Sequence, residues 1–82
     1  MDTLNKLIDV IGTNIKILRS LRGYTQIELA TRAGVTREYI WALETHRHQR
    51  EPKLQTLVRV ADALGVSFGR FCTPIEVPKD HV

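Results

Sequence analysis

Between Thr36 and Lys53 the chain concentrates side chains that can make directed polar contacts: Thr36, Arg37, Glu38, Tyr39, Trp41, then Arg47, His48, Arg50 and Lys53. An arginine at a helix N-terminus presents a planar fork of donors. The fork fits the O6 and N7 acceptors of guanine, a match worth about 1–3 kcal/mol of base discrimination. Arg37 is such a residue. Glu38 beside it can accept from a cytosine amino group, or it can simply favour the positive end of its own helix. Tyr39 can stack on thymine methyls or bond a phosphate; it can equally pack against the preceding helix. Trp41 can donate its indole N–H to a phosphate or cover the core beside the next segment. Arg47, His48, Arg50 and Lys53 suit a nucleic-acid backbone, as charges or hydrogen-bond donors.

Other chemistries find little support. His46 and His48 have no two further ligands nearby at a known spacing, and Cys72 is far off in sequence, so no metal site is expected. There is no phosphate loop, nucleophile elbow or metalloprotease motif. A chain this short builds no deep substrate pocket. The expectation is a protein that is not an enzyme, takes no cofactor and carries no small-molecule sensor. Cys72 is the only cysteine, which rules out an internal disulfide and points to a structural thiol.

The 82 residues suit a single domain over 1–82, with a core at about 11–72 and a short tail at 73–82. A domain of this size hides roughly 60% of its unfolded surface. No apolar run is long enough to span a bilayer, and no secretory signal opens the chain, so a cytoplasmic protein is expected. The net charge is +3. From Lys16 to Lys53 there are eight basic residues against four acids, and the remainder is near neutral. That distribution suits one face against phosphates, although a solvated helix face gives the same count.

Five helices and no strands are expected. Helix 1 runs from about Leu4 to Leu21 after Thr3 as N-cap, with Leu4, Leu7, Ile8, Ile11, Ile15 and Leu18 on one stripe. Gly12 interrupts it and suggests a bend or restart. Helix 2 is Gln26 to Ala33, capped by Thr25 with Glu28 at the capping-box spacing. Helix 3 is Arg37 to about Thr45 after Thr36, with Ile40 and Leu43 inward and Glu38, Ala42 and Thr45 outward. Helix 4 starts at Pro52 and ends at Leu64, with Leu54, Leu57, Val58, Ala61 and Leu64 as its stripe. Ser67 caps a short helix 5, Phe68 to about Cys72, and Pro74 and Pro78 stop regular structure.

The junction between helices 2 and 3 carries the most information. Two helices of about two turns each are joined by Gly34-Val35-Thr36. Ala30 is small where helices must cross closely, Gly34 permits the sharp turn, Val35 plugs the corner and Thr36 caps the second helix of the pair. These are the requirements of a helix-turn-helix, whose second helix enters the major groove with its N-terminal residues toward base edges.

The stretch Ile11 to Phe71 resembles the lambda-repressor and Cro family, the XRE-type regulators. The resemblance rests on Arg19, Thr25-Gln26, Leu29-Ala30, Gly34-Val35-Thr36, Ile40, Leu43-Glu44, Pro52 and Ala63-Leu64-Gly65-Val66. It implies an all-α, five-helix, lambda-repressor-like DNA-binding domain. It implies that Gln26 meets a DNA phosphate and braces the recognition helix. Thr36, Arg37 and Glu38 match base-reading positions, and Tyr39 and Ala42 match further contacts. Arg19 and Glu44 match a structural ion pair. The segment after Glu44 touches phosphates in the family, which implicates Arg47, His48, Arg50 and Lys53. Here that segment departs from the pattern: His46 stands where a glycine is usual, and the loop is a residue or two longer.

The function so implied is a sequence-specific transcriptional regulator binding a palindromic operator in double-stranded DNA as a homodimer. A protein-interaction module of the same fold, antitoxin-like or a co-regulator, is the alternative. Controller proteins of restriction-modification systems share the small size and the Thr36–Ile40 run. Val66, Phe68, Phe71, Cys72 and Ile75 form the expected dimer surface, with Phe68 partly inward and Phe71 more exposed. The apolar turns from Leu4 to Ile11 are a second possible surface.

Overall fold

The computed structural model describes residues 2–76. Five helices follow in order: α1 Thr3–Arg22, α2 Gln26–Ala33, α3 Arg37–Glu44, α4 Leu54–Leu64 and α5 Phe68–Phe71. No strand occurs among the described residues. Among the described residues no helix is long and apolar enough to cross a membrane.

The caps explain most of the boundaries. Thr25 accepts a hydrogen bond from the Glu28 amide while the Glu28 carboxylate accepts from the Thr25 amide, a complete capping box. Thr36 caps α3 by accepting from the Tyr39 amide, and Ser67 caps α5 by accepting from the Arg70 amide. Gly34 ends α2 at φ 71, in the left-handed region, and the Val35 amide donates back to the Ala30 carbonyl at 3.0 Å. Gly23 and Gly65 end α1 and α4 the same way.

Ile11, Ile15 and Leu18 of α1, Leu29 of α2, Ile40 and Leu43 of α3, Val60 and Leu64 of α4 and Phe71 of α5 pack into one core. α1 and α2 both lie against α3, and α2 also lies against α4. α3 is thus held from two sides.

Several expectations need correcting. Thr3 lies inside α1 and is not its cap: the helix starts a residue earlier, where the Asp2 carbonyl accepts from the Lys6 amide at 2.8 Å. Helix 4 does not start at Pro52. Lys53 is still extended (φ −74, ψ 141) and its carbonyl is the first helical acceptor, since the fixed φ of proline suits an extended lead-in as well as a helix. Leu54, in the first turn, therefore hangs beyond the core edge at 63% exposure, and Val60 takes the buried place. Phe68 is half-buried, as expected, but Phe71, expected to be the more exposed of the two, is wholly buried, their rings 6.0 Å apart.

α1 does not restart at Gly12 but is continuous through it. A Cβ there would stand 2.8 Å from the Leu43 carbonyl carbon and closer still to its oxygen. The glycine lets the backbones of α1 and α3 touch, and that contact sets how deeply α3 seats.

Candidate nucleic-acid interface

One side of α3 is anchored and the other is free. The anchor is Glu44, buried at the end of α3. Arg19 of α1 reaches it with both forks of its guanidinium, Nε to Oε2 at 2.7 Å and Nη2 to Oε1 at 3.0 Å. The third nitrogen, Nη1, donates to the Tyr24 carbonyl at 2.9 Å. Gln26, the first residue of α2, donates its amide to Glu44 Oε1 at 3.1 Å. Three elements are thereby tied at one carboxylate. The hydrogen bond to Glu44 holds the Arg19 guanidinium above its ordinary pKa against an opposing effect of burial. A bidentate, partly buried pair of this kind fixes geometry more than it adds net stability.

The free side begins at the α3 N-terminus. Arg37 and Glu38 are exposed, and Thr36 is exposed with its hydroxyl engaged as the cap. Arg37 thus stands exposed at the free end of a helix whose other end is fixed. Tyr39 and Ala42 are half-buried. They line a groove of about 550 Å³ between α3 and the segment carrying His48, Arg50 and Lys53. Burial pushes the Tyr39 phenol above its ordinary pKa, with a smaller opposing pull from Arg59.

The segment after Glu44 departs from the family pattern in a way the backbone explains. His46 adopts φ 59, the left-handed conformation that a glycine takes most readily. Its ring Nε2 lies 3.1 Å from the Thr13 hydroxyl of α1, so the loop keeps the glycine-type turn and gains a side-chain tether. Arg47 follows, its amide donating to the Ala42 carbonyl at 2.7 Å and its guanidinium 5.8 Å from the centre of the Trp41 ring. Trp41 is 38% exposed, so it covers the core only in part. Arg50 and Lys53 are exposed and His48 is half-buried. No group of three metal-binding side chains occurs among the described residues.

Three contributors carry little or no mark in the sequence. Asn14 is buried at 1% exposure and donates to the Phe71 and Thr73 carbonyls at 2.9 and 2.8 Å, tying the end of α5 to α1. Its one signal is a polar residue at an apolar spacing between Ile11 and Leu18. Arg22 donates to the Leu64 carbonyl at the end of α4. Arg32 sits 4.5 Å over the Tyr24 ring. Neither of these has a sequence signal, because both partners are set by tertiary approach.

Comparison with known proteins agrees with this geometry. A family model described as helix-turn-helix matches residues 15–71. An uncharacterized helix-turn-helix-type transcriptional regulator of Sinorhizobium fredii is 39% identical over 82% of this chain and 84% of its own length. The immunity repressor protein of Bacillus phage phi105 is 41% identical over 68% of this chain, which spans only 38% of that repressor. Among solved structures, a hypothetical transcription factor from Neisseria superimposes with a TM-score of 0.75 at 32% identity, covering 83% of this chain and 76% of that one. The family comprises transcriptional regulators and not enzymes. The chain belongs to the Cro/C1-type helix-turn-helix family of transcriptional regulators.

Proposed function

We propose that this protein reads a specific operator by laying α3 in the major groove, with Arg37 and Glu38 facing base edges. The observation that carries the reading is the contrast along α3. Its C-terminal end is locked at Glu44 to Arg19 and Gln26, while its N-terminal end presents Arg37 and Glu38 freely to solvent. In this reading Gln26 braces α3 through Glu44 and meets the backbone with whatever hydrogen-bonding capacity remains. Thr36, Tyr39 and Ala42 border the reading face. Arg47, His48, Arg50 and Lys53 follow the phosphates beside the groove.

One recognition helix covers only a few base pairs, so the reading includes a homodimer on an inverted repeat with half-sites about 34 Å apart. Val66, Phe68, Cys72 and Ile75 are half-buried and offer partial apolar faces. Phe71 belongs to the protomer's own core and supports that surface from beneath. Leu4 and Leu7 are exposed. Val10 of α1 and Ile75 line the same small groove, so α1 and the C-terminal segment adjoin there. The protein-interaction alternative draws on exposed Trp41, but Arg47 lies over that ring and the surroundings are basic.

Selection from a random-sequence duplex library at near-physiological salt tests the reading. Enrichment of a short inverted repeat is the expected result. Folded protein that enriches no sequence would contradict it.

A further inference from the structure

Asn14 is buried on the apolar side of α1, between Ile11 and Leu18. Its amide nitrogen donates twice, to the Phe71 carbonyl at 2.9 Å and the Thr73 carbonyl at 2.8 Å. Both partners are acceptors, so the nitrogen and not the oxygen must face them. α5 is a single turn, and a helix end leaves its last carbonyls without partners of its own. The other bonds at this end are local: the Thr73 amide donates to the Arg70 carbonyl at 3.2 Å, and the Thr73 hydroxyl to the Gly69 carbonyl at 2.9 Å. Those bonds would travel with α5 wherever it went. The buried Phe71 ring anchors the turn, and the bond from Asn14 to Thr73 directs the chain as it leaves toward Pro74 and Ile75. The same stretch of α1 also meets α3 and its loop. Gly12 lets the α1 backbone approach Leu43, and the Thr13 hydroxyl lies 3.1 Å from His46 Nε2. Thr13 and Asn14 line one small groove with Pro74 and Ile75. Three consecutive residues thus refer the C-terminal segment to the helix that carries Arg37.

Resting on the homodimer reading, we infer that Asn14 is a positioning residue for operator binding: by holding the C-terminal segment against α1, it sets how the two copies of α3 are disposed and so which half-site spacing the dimer accepts. Cys72 and Ile75, on the dimer surface of that reading, flank Thr73, which Asn14 holds. Released from Asn14, the segment keeps its apolar side chains but loses its fixed direction. Asn14 thus touches neither DNA nor the second copy.

The test compares wild type, Asn14→Leu and Arg22→Met on a single half-site duplex, on the selected inverted repeat, and on repeats with one base pair added or removed between the half-sites. Each base pair moves the half-sites by about 3.4 Å and turns them by about 35°. Arg22 also donates from α1 to a carbonyl, that of Leu64 at the end of α4, so Arg22→Met controls for the loss of a tether as such. Wild type is expected to bind the selected repeat cooperatively and to lose that cooperativity at altered spacing. Asn14→Leu should match wild type on the single half-site and bind the selected repeat about tenfold more weakly, the scale of two lost hydrogen bonds. It should bind the altered repeats no worse than the selected one. Arg22→Met should keep the wild-type spacing preference. Asn14→Ala, which leaves room for water at the two carbonyls, repeats the test where leucine crowds the core. Loss of the fold in both variants would make Asn14 a requirement of the domain itself and overturn the positioning role. Wild-type spacing preference in a folded Asn14 variant would overturn it too, as would the same defect in Arg22→Met. Wild type that occupies half-sites independently at every spacing would instead remove the homodimer reading, and the inference with it.

Discussion

At the scale of the residue, Glu44 is where an unremarkable surface charge and a structural keystone are told apart. Its carboxylate accepts from Arg19 and Gln26 while nearly out of reach of water. Glu44→Ala leaves both donors short of a partner and is expected to destabilise the fold by about 3 kcal/mol; denaturant unfolding measures this, and a change below about 0.5 kcal/mol would contradict the keystone role. His46 is the opposite case, a residue in a conformation it does not favour. A non-glycine left-handed residue is strained by about 1 kcal/mol or somewhat more, and the exposed contact with Thr13 offsets only part of that. His46→Gly is therefore expected to raise stability modestly, visible as a higher melting temperature. A lower one would show that the tether to α1 outweighs the strain.

At the scale of the element, α1 and α3 meet through Gly12, and here local propensity and tertiary contact disagree. Alanine is preferred over glycine in a helix by about 1 kcal/mol. Gly12→Ala is nonetheless expected to destabilise by about 2–3 kcal/mol, because its methyl would overlap the Leu43 carbonyl and force the helices apart. Stabilisation by this substitution would mean that α3 can shift freely. The α2 cap carries a pH dependence of known sign. The hydrogen bonds from the Thr25 amide and hydroxyl hold the Glu28 carboxyl below its ordinary value of 4.5. A lowered folded-state pKa contributes stability above the unfolded value and loses it as pH falls through the folded one. Wild type should therefore lose more stability than Glu28→Gln on acidification through the carboxylate range, as read by thermal melts at matched pH. The elements differed in how legible they were. The caps at Thr25, Thr36 and Ser67 and the turn at Gly34 were readable because each depends on neighbours three or four residues away. Gly12 was not, because its partner Leu43 lies on another helix. Phe71 was misassigned because four residues make a single turn, too short for periodicity to choose the inward face. The exposed basic residues of the candidate site, Arg37 and those of the loop among them, could be picked out by residue type, but not the groove lined by Tyr39 and His48, which exists only once the loop has folded back on α3.

At the scale of the whole molecule, the proposed reading pairs this small domain, with α3 tied at Glu44 and a basic flank beside it, with a second copy on an inverted repeat. Ile75, half-buried and lining a small groove with Val10 of α1, is the position to probe. Ile75→Asp is expected to leave the fold and half-site contacts intact while weakening self-association and cooperative operator binding. Sedimentation at increasing protein concentration reads the first, and the steepness of the binding isotherm reads the second. Unchanged association would move the dimer surface elsewhere. The central claim is that α3 reads bases through its N-terminal end, and the most direct measurement is the library selection repeated with Arg37→Ala beside wild type. The variant is expected to enrich a related inverted repeat in which preference at one base position of each half-site has been lost, with salt-sensitive binding retained. An enriched motif identical to that of wild type would contradict the claim.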